Sequence, residues 1–161
     1  MKIFREIAIL IFIVWIGSTV ISYIRAPKLD SDTLPHIEGI LTDGTHFDSS
    51  HLRGKPLMVE FWGTWCPVCK QQASNVASVA EKYNVITIAV NSRSDGYINK
   101  WLSEHKVKYP VLNDPNGKWA KRFKVPAYPT TFFFDAQGKL KFTEVGYTTT
   151  AGMVTRLKMS K

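Results

Sequence analysis

The stretch Leu57-Met58-Val59-Glu60-Phe61-Trp62-Gly63-Thr64-Trp65-Cys66-Pro67-Val68-Cys69-Lys70 decides how the rest of the chain is read. It opens as an apolar run and ends on the only two cysteines of a 161-residue sequence, separated by two positions. A pair at that spacing closes a small disulfide ring, so dithiol and disulfide are two states of one site. Exchange proceeds through a thiolate, which calls for one cysteine of lowered pKa that solvent can reach. The start of a helix meets both needs, because its unpaired N–H groups and dipole favour negative charge. Cys66 is accordingly predicted as the N-cap and Pro67 as the first helical residue, where proline's missing N–H costs nothing. Cys69 falls one turn further in, on the same face and more buried. In this reading Cys66 attacks and Cys69 resolves.

Other uses of the pair fit less well. Covalent haem attachment needs a histidine after the second cysteine, where this chain has Lys70. Closed zinc sites take four Cys or His ligands, and His36, His46, His51 and His105 show no tight ligand spacing. Iron–sulfur clusters normally take four thiolates. A two-residue ring removes little entropy from the unfolded chain and makes a poor staple. No metal or other cofactor is therefore expected. From a different class, two thiolates could serve as a soft Cu(I) site, and a non-catalytic docking domain is a third reading.

Upstream, Ile7–Ile24 is a run of 18 uncharged residues. As a helix it spans ~27 Å, close to the ~30 Å hydrocarbon core of a bilayer. Lys2 and Arg5 precede it, and no clear small-x-small cleavage site follows, so it reads as an uncleaved signal anchor rather than a signal peptide. The expected organisation is an anchor over residues 1–24, a polar tether over 25–33 and one domain over 34–161. A short basic N-terminus left in the cytoplasm sends that domain across the membrane, where a reactive disulfide persists.

Downstream, Ile37–Leu41 and His46–Asp48 flank an Asp-Gly turn and predict an N-terminal hairpin. Strands are predicted at Leu57–Trp62, Val85–Val90, Tyr109–Leu112, Thr131–Asp135 and Leu140–Val145. Helices are predicted from Pro67 to about Lys82 and over Ser94–His105, Lys118–Phe123 and Thr149–Met159. The alternation gives an α/β fold, a central mixed sheet with helices on both faces. The cysteine pair then lies where the first strong strand feeds its helix, the end at which open α/β sheets bind ligands.

With these residues in view, Phe61-Trp62-Gly63-Thr64-Trp65-Cys66-Pro67-Val68-Cys69 resembles the thioredoxin superfamily active site. The Gly-Thr-Trp-Cys form, the Asp-Gly hairpin and Leu52-Arg53-Gly54-Lys55-Pro56 resemble its membrane-anchored TlpA/ResA branch, nearest to the suppressor-of-copper-sensitivity D type. The resemblance implies a thioredoxin-like fold and protein thiol–disulfide oxidoreductase activity, and the subtype adds a role in copper tolerance. It matches Tyr128-Pro129-Thr130 to a cis-proline loop that faces the cysteines, with Pro126 the other candidate. It matches Glu60, a carboxylate where a doubly covered strand should carry none, to an acidic residue beneath the pair. Glu60 is thereby predicted to have a raised pKa and to act as acid/base for Cys69. By the same comparison Trp65 shields Cys66 and meets substrate, whereas Trp62 is as well explained as core. Many TlpA-like relatives carry asparagine at the Glu60 position. The acidic residue that some carry in the cysteine helix is not evident, since Gln71 and Gln72 are neutral. Pro67-Val68 also differs from the Gly-Pro of cytosolic thioredoxin.

The formal charge is +8, and residues 34–161 carry 17 Lys/Arg against 10 Asp/Glu. These charges are scattered except over Lys118–Lys124. They read as a solvated basic face, or as attraction to anionic lipid headgroups or an acidic redox partner. The expectation is a monomeric, single-pass protein of a bacterial inner membrane with a periplasmic catalytic domain. Its partners are protein thiols and disulfides and a membrane electron donor or acceptor of the disulfide-exchange type; nucleic acid is not one. It acts as a reductant, with a disulfide oxidase or isomerase as the alternative direction.

Overall fold

The computed structural model describes residues 31–52 and 54–161 throughout and, upstream, 4–7, 9, 10, 12, 13, 27 and 29. The expected anchor therefore lies largely outside the described residues, as does part of the tether. Within it Ile7, Ile9, Leu10, Phe12 and Ile13 are helical and exposed. Among the described residues no helix is long and apolar enough to cross a membrane.

Alternation of side chains along one strand organises the domain. Strand β3 (Leu57–Trp62) is buried at every position, as expected of a strand covered on both faces. It pairs in parallel with β4 (Asn84–Val90) and antiparallel with β6 (Thr130–Phe134). Outside these lie β5 (Val111–Asp114), parallel to β4, and β7 (Leu140–Val145), antiparallel to β6, giving the order β5-β4-β3-β6-β7. Met58, Trp62, Val85, Ala89, Val111 and Phe133 face helices α1 (Pro67–Ala80), α2 (Asp95–Glu104) and α4 (Thr150–Met159). Leu57, Val59, Phe61, Ile86, Ile88, Phe132 and Phe134 face the short helix α3 (Lys118–Arg122) and the N-terminal hairpin. Period-two patterning thus yields two cores from one sheet.

The hairpin is β1 (Glu38–Ile40) paired with β2 (His46–Asp48). Its turn is closed by Thr45, whose N–H donates to Asp43 Oδ1 at 3.0 Å, with Gly44 at φ 87°. A bridge between Leu41 and Leu112 docks it on the β5 edge.

Strand β5 runs two residues later than Tyr109–Leu112. Pro110 has no N–H for the ladder, although its carbonyl accepts from Thr87 N at 3.0 Å. Asp114 ends the strand and also opens the turn that follows, its carbonyl accepting from Gly117 N–H at 3.2 Å. It is buried, and its Oδ2 accepts from Ala120 N at 3.0 Å. Because β3, β4 and β5 are parallel, their C-terminal ends share one edge of the sheet; β6 begins and β7 ends at that same edge.

Candidate active site

At that edge β3 gives way to α1. Cys66 holds an extended N-cap conformation, φ −94° and ψ 113°, with Pro67 at the first helical position. The Cys69 N–H donates to Cys66 Sγ at 3.2 Å, so one of the orphan donors of the helix end is aimed at this sulfur. The two cysteines are joined as a disulfide. Relative exposure is 5% for Cys66 and 2% for Cys69. The N-cap sulfur is therefore covered in this state, and it is Trp65, Pro67 and Val68 that face solvent.

The approach loop is fastened from the neighbouring strand. Thr64 N–H donates to the buried Ser92 hydroxyl at 3.0 Å, and that hydroxyl donates to Val90 O at 3.0 Å. Trp65 Nε1 also donates to Val90 O, at 3.0 Å. A Cβ at Gly63 would lie 2.6 Å from the Trp65 indole, so only glycine lets the ring lie there. The ring meets Tyr128 edge-on at 5.3 Å.

Tyr128–Pro129 is a cis peptide bond, and no other is found among the described residues, Pro126 included. The Tyr128 carbonyl oxygen is 3.6 Å from Cys66 Sγ. Thr130 Oγ1 donates to Ala127 O at 2.8 Å, and Gly146 N–H donates to Pro129 O at 2.8 Å. Cys66, Cys69, Trp65, Pro67, Val68, Tyr128, Pro129 and Thr130 thus gather at one end of the sheet.

Glu60 lies on β3, on the face covered by α1, between Thr87 and Thr131 on the adjoining strands. Burial pushes its carboxyl up to about 8, against a smaller opposing effect of a hydrogen bond from Gln72. Burial, and secondarily the Glu60 charge, push the Tyr109 phenol up as well. Donor logic fixes where a proton on Glu60 resides. The Thr148 backbone N–H can only donate, and it donates to Gln72 Oε1. The Gln72 amide is thereby oriented so that Nε2 donates to Glu60 Oε1 at 3.1 Å. The proton belongs on Glu60 Oε2, which is buried without a partner, as is Thr131 Oγ1. Thr87 cannot serve as a donor to it, since its hydroxyl donates to Pro110 O at 2.9 Å and accepts from Trp62 Nε1.

Sequence reading passed over Gln72, Ser92 and Thr148. A signal existed for Gln72: it is three residues after Cys69, on the stripe that also carries Ala73 and Val76.

The redoxin family profile matches residues 29–158. A thioredoxin-like protein of Haemophilus influenzae is 29% identical over 145 residues, covering 87% of this chain and 84% of its own length. The thiol-disulfide oxidoreductase ResA of Bacillus subtilis is 28% identical over 139 residues, 82% of this chain and 78% of its own. Among solved structures, an exposed lipoprotein thioredoxin of Streptococcus pneumoniae aligns with a TM-score of 0.68 at 28% identity, over 78% of this chain and 99% of that one.

Proposed function

This chain belongs to the redoxin family and is a thiol–disulfide oxidoreductase whose exchanging pair is Cys66 and Cys69, and from that premise we propose that it reduces protein disulfides outside the cytoplasm. The observation that carries the exchange chemistry is the Cys69 N–H directed at Cys66 Sγ at the start of α1, which favours charge on that sulfur; the direction rests on the resemblance alone. The Cys66 thiolate attacks a substrate disulfide; one substrate sulfur leaves as a thiolate, which solvent protonates, and the other is held in a mixed disulfide. Cys69 gives its proton to the Glu60 carboxylate and attacks Cys66 Sγ. The second substrate thiol is released and the Cys66–Cys69 disulfide forms. A carboxyl raised to about 8 lies closer to the thiol range than an ordinary carboxylate, which favours proton transfer between the two. The substrate segment lies along Tyr128-Pro129-Thr130 with Trp65 and Val68 beside it, a role supported by the 3.6 Å approach of the Tyr128 carbonyl to Cys66. A membrane dithiol donor then resets the pair.

Residues 1–24 act as the anchor, 25–33 as the tether and 34–161 as the catalytic domain. The exposed apolar helical side chains of Ile9, Leu10 and Ile13 support this, because water is a poor solvent for such a surface. The pneumococcal relative is an exposed lipoprotein, which supports a site outside the cytoplasm. Resemblance to the anchored branch supports the reductive direction and the copper-tolerance subtype.

The same helix-capped sulfur favours one second reading, since stabilising the thiolate makes the disulfide more oxidising. Equilibration of Cys66–Cys69 against glutathione separates the two: a potential near ~−270 mV supports the reductant, and one near ~−120 mV the oxidant. Cys66→Ser is expected to abolish exchange and Cys69→Ser to accumulate a mixed disulfide. Retained exchange in Cys66→Ser would remove the site from this pair. Tight Cu(I) uptake by the reduced chain without exchange would support the metal-binding alternative.

A further inference from the structure

The fold sorts charges that look scattered in the sequence. At the sheet edge that carries Cys66, the start of α1, the loops and the short helix α3 present Lys70, Arg93, Lys118, Lys121, Arg122 and Lys124, all exposed, with Asp95 the exposed carboxylate beside them among the described residues. Helix α3 has five residues, so at 1.5 Å per residue it carries its cations less than ~8 Å from that edge before the chain returns to Tyr128. At the opposite edge the exposed Lys82, Lys106, Lys108 and Lys139 alternate with Asp43, Glu81 and Glu104.

The arginines are fixed in position without being neutralised. Arg93 has φ 69°, its carbonyl accepts from Asn113 Nδ2 at 3.0 Å, and its guanidinium lies 4.6 Å from the centre of the Tyr97 ring. The Arg122 guanidinium lies 5.3 Å from the Trp119 ring. Stacking on a ring orders the side chain and leaves its charge available. Among the described residues, Lys70, Arg93, Lys118, Lys121 and Arg122 make no ion pair with a carboxylate. Asp95 is engaged by the Asn113 amide at 2.7 Å. Beside these cations, at the same edge, lie the exposed apolar groups Trp65, Val68 and Tyr147. Exposed apolar groups bordered by charge suit a protein docking surface.

We propose that this end of the molecule selects protein segments whose disulfide is flanked by acidic residues. The inference rests on the thiol–disulfide reading and names the substrate class for that same site. The flanking carboxylates pair with Arg93 on one side and with Lys121 and Arg122 on the other, while the disulfide sulfurs meet Cys66. Opposite charge raises the encounter rate and disfavours basic competitors.

The test uses the reduced full chain in a non-ionic detergent and three disulfide peptides of equal length, flanked by Glu, Gln or Lys. The readout is the ratio of reduction rates for the Glu and Lys peptides. At low ionic strength the ratio is expected to be about tenfold or more. It should collapse toward one at about 1 M salt, where the screening length is ~3 Å. Combining Arg93→Glu, Lys121→Glu and Arg122→Glu should bring it below one. Combining Lys82→Glu, Lys106→Glu and Lys139→Glu, the same change of net charge at the other edge, should leave most of it. A low-salt ratio near one overturns the proposal, and so does an equal response of the two triple variants. Binding to phosphatidylglycerol vesicles together with a ratio near one would assign the cations to lipid and also overturn it. Failure to reduce even the Gln peptide would instead overturn the underlying exchange reading, and this inference with it.

Discussion

The two faces of the central sheet are built from the same three strands and do opposite work. Behind α3 and the hairpin, Phe123 meets Phe132 and Phe134 edge to face, Phe61 meets Phe132 likewise, and the Phe61 and Phe123 rings are tilted with centres 4.9 Å apart. Behind α1, α2 and α4, the equivalent positions carry Glu60, Thr87 and Thr131, with Gln72 reaching down from the helix. One face maximises apolar contact; the other accepts a buried carboxyl and two unpartnered polar oxygens beneath the cysteine helix. Leaving buried polar atoms unpaired is costly, so the polar face gives up stability that the aromatic face supplies. Both faces hold a core, but only the face under α1 sets a titratable group within it.

Truncating the aromatic core should cost the most stability. Phe134 is fully buried on β6, at the end of the strand away from Cys66. Phe134→Ala should cost about 3–5 kcal/mol in a denaturant titration, while the alkylation rate of Cys66 in the remaining folded protein stays unchanged. A changed alkylation rate would mean that the two faces are coupled.

The next effect concerns the charge on Glu60. Its folded pKa, about 8, lies above the unfolded value near 4.5, so the folded state binds the extra proton between those limits. Stability is fully present below 4.5 and falls as pH rises toward 8, by about 1.4 kcal/mol per pH unit at most. Glu60→Gln should flatten that decline, leaving the variant the more stable protein above pH 8. It should also slow resolution by Cys69 by about 10²-fold, within the usual range for losing a general base. A decline of unchanged slope in Glu60→Gln would assign the titration to another group.

Much of this division was legible beforehand. The unbroken apolar run of Leu57–Trp62 marked a doubly covered strand, and a carboxylate within it stood out for that reason. The spacing of Cys66 and Cys69 and the proline between them placed the start of α1. What escaped depends on packing between distant parts of the chain. The Ser92 hydroxyl meets Thr64 across 28 positions, and the Thr148 N–H meets Gln72 across 76. Neither pairing has a local signature. Strand β5 reaches Asp114 because one residue can end a strand and open a turn at once: its carbonyl accepts from Gly117 N–H while its carboxylate accepts from Ala120 N–H. Gln72 carries no charge to mark it; its amide joins Glu60 to the Thr148 N–H, a link that only the folded chain makes.

Removing that amide should have a subtler outcome than either change above. Gln72 is fully buried and joins Glu60 on β3 to the loop before α4 through its two amide ends. Gln72→Leu keeps the volume and removes both bonds. The Thr148 N–H is then left without an acceptor, at a cost of about 1–3 kcal/mol. The donor to Glu60 Oε1 also disappears, and since that bond lowers the Glu60 pKa, the pKa should rise above about 8. The sign is testable apart from the stability loss: the decline of stability with pH should extend further into the alkaline range, and the alkaline limb of the exchange rate should move with it. In the Glu60→Gln background the same substitution should still destabilise, because Thr148 is still abandoned, but no pH-dependent part should remain. A Gln72→Leu protein that is destabilised with its Glu60 titration unmoved would show that the amide packs the helix without orienting the acid, and the polar face would then be a second core with a flaw in it.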